Sequence, residues 1–402
     1  MRKTYEELNQ LKKKYKVDTL WSWSRYHIYK QDTWEYLLKY IQHIKEDRVN
    51  SIYCVSGGDC HSILERFYEG KIKYEDMITE YEDQLLTMNI ADLKYDRSDS
   101  EKNDKIANKY ETCIKHFFTH HQVIKHSNKI EQFIIIKIGK NIFNGYIDFL
   151  HTEEYTNNSK QIVITDWKTS SIYKGQKIDE ECGQLLLYAE GIRQTLHLPL
   201  ENIKIRWNFM KYINVNCLQA NGKWKERQIE RNSIGEKLSS NARMWLKRMG
   251  YEQEQVDTYI SDMILDNSID NLPQEIQDKF VISDCYVYIP LTEEKIQSLK
   301  DDIIKTIDEI QNRTKQYYKL KDSDIDTAEH IFWQDVTQSD SYRLAVLSGY
   351  SRKYHKPYDE YLKEQEMFED KNKDDKESVS NGNLNNNKDN IPDEDLSWLD
   401  EL

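Results

Sequence analysis

Asp166 and Lys168 stand two residues apart in the run KQIVITDWKT (160–169), which is rich in β-branched residues. Side chains alternate along a strand, so this carboxylate and this ammonium leave the sheet on one face. Ile162, Val163 and Ile164 are apolar enough to be buried. A charged pair at the end of a buried strand is costly unless it is used. Asp148 closes the preceding apolar run, after Gly145, and a short connection sets it beside Asp166. Two adjacent carboxylates repel, and a divalent cation relieves the repulsion; oxygen donors suit Mg²⁺ or Mn²⁺. Taken alone, the tripeptide fits a surface ion pair at a strand end at least as well.

These residues need a frame. Strands are expected at 131–138 and 142–151 around a turn at Gly139-Lys140-Asn141, then at 160–169 after a polar loop at 152–159. An amphipathic helix at 180–196 leads to a further strand at 202–212. Three strands joined by short turns make a meander, and the helix crosses over to the fourth; the class is α/β. On that helix Gln184 and Tyr188 share a face; such a pair is more often a solvent contact than a functional one. Upstream, Gly57-Gly58-Asp59 reads as a turn and N-cap that opens a helix at about 60–69. It carries His61, Glu65 and Tyr68 on one side and Cys60, Ile63, Leu64 and Phe67 on another. A lone histidine on such a helix is usually structural. Helices are also expected at 4–16, 33–47 and 74–125, with a polar break near 96–104. After 212 come a hairpin at Asn221-Gly222 and helical stretches, the clearest at 291–318 behind Thr292.

Four segments in this order, GGDCHSILERF, GYIDFL, VITDWKTS and QLLLYAEG, resemble the RecB-like nucleases of the PD-(D/E)XK superfamily. WSWSRYHIYKQDTWEYLLKY (21–40) is similar to the N-terminal segment of that group. The resemblance covers about residues 20–212. It implies a restriction-endonuclease-like core, a mixed β-sheet flanked by helices, with helical additions at both ends. It also implies roles. His61, Asp148, Asp166 and the Trp167 carbonyl would bind metal; Lys168, with Asp166 and Asp148, would be catalytic. Gln184 and Tyr188 match a QxxxY motif that contacts substrate, and Glu131 is a further candidate acid. Ile147 stands where the motif name has proline, a common replacement in this branch. The implied activity is Mg²⁺- or Mn²⁺-dependent hydrolysis of DNA, of the exonuclease and recombination type and often phage-encoded. The alternative is a non-catalytic DNA-binding subunit on a nuclease scaffold, which would not need the whole set of four; a third is an unrelated α/β protein with chance matches.

Charge does not oppose a DNA partner. The net charge is -13, but residues 364–402 hold 13 acids against 4 lysines. That tail carries -9 and leaves only -4 for the remainder. The expected division is therefore a nuclease domain over 1–363, with its core at about 56–212 and helical additions at 1–55 and 213–363, then a disordered acidic tail. Leu396, Trp398, Leu399 and Leu402 form a small apolar patch in the tail. Its plainer reading is a solubilising end, and its sharper one a protein-docking segment. Cys54, Cys60, Cys113, Cys182, Cys217 and Cys285 are scattered, which suits reduced thiols. Many relatives hold an iron–sulfur cluster through one early and three late cysteines. No cysteine follows Cys285, so no cluster and a colourless protein are expected. No apolar run approaches membrane-spanning length and the N-terminus lacks an apolar signal core, so a soluble, cytoplasmic protein is expected.

Overall fold

The structure is a computed structural model that describes residues 2–48, 51–96, 99–155 and 159–379. The tail patch at Leu396, Trp398, Leu399 and Leu402 lies outside the described residues. Seven strands hydrogen-bond into a mixed sheet flanked by helices. They are β1 (Leu20–Trp21), β2 (Asn128–Ile138), β3 (Asn141–Tyr155), β4 (Ser159–Lys168), β5 (Ile203–Leu218), β6 (Trp224–Glu230) and β7 (Phe280–Ile289). Their order is β1-β3-β4-β5-β6, with β2 also on β3 and β7 also on β5. This is the α/β class expected from the sequence.

β3 and β4 run antiparallel from Phe149↔Thr165 to Tyr155↔Ser159. Within the polar stretch read as a loop at 152–159, residues 152–155 continue β3 and residue 159 opens β4, because main-chain pairing needs no apolar side chains. β4 and β5 are parallel, with Asp166 opposite Trp207 and Lys168 opposite Phe209. A parallel pair needs a crossover, and the helix Gly183–Leu196 lies in that connection. β7 is a correction. The sequence reading made residues beyond the Asn221-Gly222 hairpin helical, yet FVISDCYVYI is a strand that pairs antiparallel with β5. Its β-branched and aromatic content was the available signal.

The Gly57-Gly58-Asp59 reading also changes. The helix Ile52–Tyr68 runs straight through it. Tertiary packing overrides the propensity of two glycines here: a Cβ on Gly57 would stand 3.4 Å from Thr169 Oγ1, so the helix passes close to the end of β4.

The chain groups into two compact units, each discontinuous in sequence. The first comprises Met1–Tyr5, Ile52–Ile136 and Gly145–Gln297. Its helices Ile52–Tyr68, Asp76–Ile90 and Ser100–His120 bury Cys60, Ile63, Leu64, Tyr81, Ile114 and Phe117 against Phe149, Trp167 and Met210 of the sheet. A second cluster joins β5, β6 and β7 to the helices Ile234–Arg248 and Gln253–Leu265. The helix Gly183–Leu196 comes close to β2 at Gly191. A Cβ there would lie 2.6 Å from both Ile134 Cδ1 and Ile136 Cγ1, so only glycine permits the approach.

The second unit comprises Glu6–Ser51, Lys137–Asn144 and Ser298–Leu402. β1 pairs in parallel with Ile142 and Phe143 at the start of β3. Buried Asp32 accepts from Arg343 at 2.8 Å and lies 2.8 Å from His355 Nε2, tying the N-terminal helices of this unit to its C-terminal segment. The final helix, Lys356–Val379, runs past Glu364, where the sequence reading ends the folded chain. Ion pairs such as Lys363 with Asp359 support such a helix without an apolar face.

Candidate active site

The β3–β4 ladder ends at Phe149 and Thr165, one residue short of both candidate acids. Past that point the Trp167 amide donates to Asp148 Oδ2 at 3.2 Å. Strand alternation then fixes which groups meet. Asp148 and Asp166 leave one face; Phe149 and Trp167 leave the other and enter the helical core. His61 Nε2 lies 2.9 Å from the Trp167 carbonyl oxygen, and its Nδ1 lies 3.5 Å from Asp148 Oδ2. Lys168 Nζ sits 2.7 Å from Asp166 Oδ2. The structure thus brings His61, Asp148, Asp166, the Trp167 carbonyl and Lys168 together.

The electrostatics follow from this crowding. Burial raises the pKa of Asp148 well above the usual aspartate value, and the neighbouring Asp166 charge raises it further. Burial pulls His61 below its ordinary value and outweighs the attraction of Asp166, so the ring is neutral near pH 7. Burial alone would also lower Lys168, but Asp166, Tyr173 and Asp148 reverse the sign and hold it above the ordinary lysine value. Lys168 is therefore an ammonium at neutral pH.

Gln184 and Tyr188 join the site from the crossover helix. Gln184 Nε2 donates to the Tyr188 hydroxyl at 3.1 Å, and Asp148 and Asp166 both act on Tyr188 electrostatically. Gly145 makes room for this ring: a Cβ there would lie 2.6 Å from Tyr188 Cε1 and 3.0 Å from its hydroxyl. Gly145→Ala should therefore displace Tyr188, with a rate loss of up to about 10²-fold if the ring positions substrate. Unchanged steady-state kinetics in a folded Gly145→Ala protein would remove Tyr188 from the site.

Glu131 is linked to this group through Glu65, which also interacts with His61. It has a left-handed backbone, φ 46°, and accepts from Arg2 at 3.3 Å. Its carboxylate interacts with Glu65, one helical turn beyond His61; burial and then Glu131 raise the Glu65 pKa. Sequence reasoning placed Glu65 on the His61 face but gave it no role, because i,i+4 spacing shows a shared face and not what lies opposite.

Among the described residues, no group of three or more His, Cys, Asp or Glu side chains is already arranged around one metal position. The candidate ligand atoms pair with each other instead, His61 with the Trp167 carbonyl and Asp166 with Lys168. The donor set nonetheless fits a divalent cation. Two adjacent carboxylates withdrawn from solvent, one with its pKa driven up by burial and by the other, are what a cation relieves, and a neutral imidazole and a carbonyl complete an N/O set.

The family model of the PD-(D/E)XK nuclease superfamily matches residues 20–321, three quarters of the chain and all of the residues above except Arg2, the partner of Glu131. No curated protein matches the chain.

Proposed function

Because the chain belongs to the PD-(D/E)XK nuclease superfamily, we propose that it is a divalent-metal-dependent nuclease that hydrolyses phosphodiester bonds in DNA at His61, Asp148, Asp166 and Lys168. The observation that carries this reading is the placement of two adjacent carboxylates, Asp166 buried and Asp148 half-buried, beside an ammonium at a strand end. Asp148, Asp166, His61 and the Trp167 carbonyl would hold Mg²⁺ or Mn²⁺. When bound, the ion would neutralise phosphate charge and lower the pKa of a water ligand.

The chain's own residues have separable tasks. The Lys168 ammonium cannot take up a proton near pH 7, so it serves as a fixed positive charge against the phosphate oxygens. Neutral His61 keeps a lone pair for coordination. The Tyr188 hydroxyl accepts a hydrogen bond from Gln184. Its own hydrogen is then left to donate to a substrate oxygen.

Exonuclease action, a recombination role and RecB-like kinship rest on the motif resemblance. Digestion of end-labelled linear and of closed circular DNA, single- and double-stranded, with Mg²⁺, Mn²⁺ or EDTA tests the first of these. An exonuclease consumes only the linear forms. A scaffold without catalysis would bind DNA and cut none of them under any metal.

A further inference from the structure

One ring lies behind both carboxylates. Tyr68 sits seven residues after His61 on the same helix, Ile52–Tyr68. Its ring is 4.6 Å, centroid to centroid, from Phe149, the residue after Asp148. It also stacks on Trp167, between Asp166 and Lys168, at 6.2 Å and an interplanar angle of 15°. Phe149 and Trp167 are neighbours themselves, at 5.6 Å. Tyr68 thus presses on the back of the two strands at the positions whose front neighbours are the acids.

The hydroxyl of this ring is tethered. It accepts from the Ile124 amide at 3.3 Å and lies 2.7 Å from His121 Nε2. His121 Nδ1 in turn lies 2.7 Å from Asp284 Oδ2. Asp284 is held in turn by Arg231 Nη2 at 2.6 Å and the Gln122 amide at 3.2 Å. His121, Asp284 and Arg231 are all nearly inaccessible to solvent. A packed core needs the apolar ring but not a tether of buried polar groups, each of which is expensive to desolvate. The tether restricts the ring to one orientation.

We propose that Tyr68 is a positioning residue for the metal centre: its tethered ring sets the spacing between the Trp167 carbonyl, Asp148 and His61. The inference rests on the assignment of those residues as metal ligands. Tyr68 touches none of the expected ligand atoms and acts through Phe149 and Trp167.

The test is Mn²⁺ affinity of the full chain, measured by calorimetry and by the loss of free-Mn²⁺ electron-spin resonance, with thermal unfolding alongside. Tyr68→Leu removes ring and tether and should weaken Mn²⁺ binding about 10–100-fold, the usual effect of losing a group that orients ligands. Tyr68→Phe keeps the ring and loses only the tether; it should weaken binding by less, and it carries the test alone if Tyr68→Leu fails to fold. A purely structural role would lower the melting temperature and leave the affinity of the folded protein unchanged. Wild-type affinity in folded Tyr68→Phe and Tyr68→Leu overturns the proposal. Asp166→Asn separates the two failures: if wild type and Asp166→Asn bind Mn²⁺ equally, the ligand assignment itself is wrong and this inference falls with it.

Discussion

Lys168→Ala should lower the rate of DNA cleavage by about 10²–10³-fold, the usual cost of removing one preorganised charge from a transition state. The ammonium stands 2.7 Å from Asp166 and is held charged by it, so the effect should appear in kcat more than in KM. Lys168→Arg should rescue only partly, because a planar guanidinium replaces a point charge. The fold should survive, since the pair sits at the end of β4 and the core beneath is built from Phe149, Trp167 and their helical partners. Single-turnover rates for the three proteins, with circular dichroism as the check on folding, decide the matter. Near wild-type turnover in Lys168→Ala would remove this residue from the mechanism.

The largest stability effect is expected far from the chemistry, at Asp284. Arg231, His121 and the Gln122 amide all depend on this carboxylate, and Arg231 and Asp284 are each 1% exposed. Asp284→Ala leaves a guanidinium buried without its counter-charge and should cost about 3–5 kcal/mol in urea unfolding. The pH dependence has a definite sign. Burial alone would raise the Asp284 pKa, but His121, Arg231 and the Gln122 amide pull it below the ordinary aspartate value. A depressed carboxylate contributes stability that is fully present above the unfolded pKa, about 3.9, and is lost as pH falls through the lower folded value. Wild-type protein should therefore lose stability below about pH 4 more steeply than Asp284→Ala. Parallel acid titrations of the two would show this term to be absent.

Much of the site was legible because strand periodicity is a short-range property. The two-residue spacing of Asp166 and Lys168 fixes a shared face whatever the rest of the chain does. Gln184 and Tyr188 follow the same logic on a helix, and the observed hydrogen bond between them needs only one turn of it. What failed was decided by distant partners. Gly57 and Gly58 look like a helix start, yet the helix runs through them, and Gly57 there packs within contact distance of Thr169 just past β4. β7 finds its pairing 63 to 84 residues back in β5, which no local window contains. The tether from Tyr68 to Asp284 joins residues 68, 121, 231 and 284, and the linear sequence gives no sign of it. Protonation was equally out of reach: whether Lys168 is charged depends on the balance of burial against Asp166, and that balance exists only in the folded site.

The most direct test of the central claim is cleavage of a labelled linear DNA by metal-free full-length protein, with Mn²⁺ or Mg²⁺ restored in one arm, EDTA kept in another, and Asp166→Asn run beside wild type in both. The account predicts product only from wild type with metal. Equal cleavage by Asp166→Asn, or undiminished cleavage in EDTA, would contradict it.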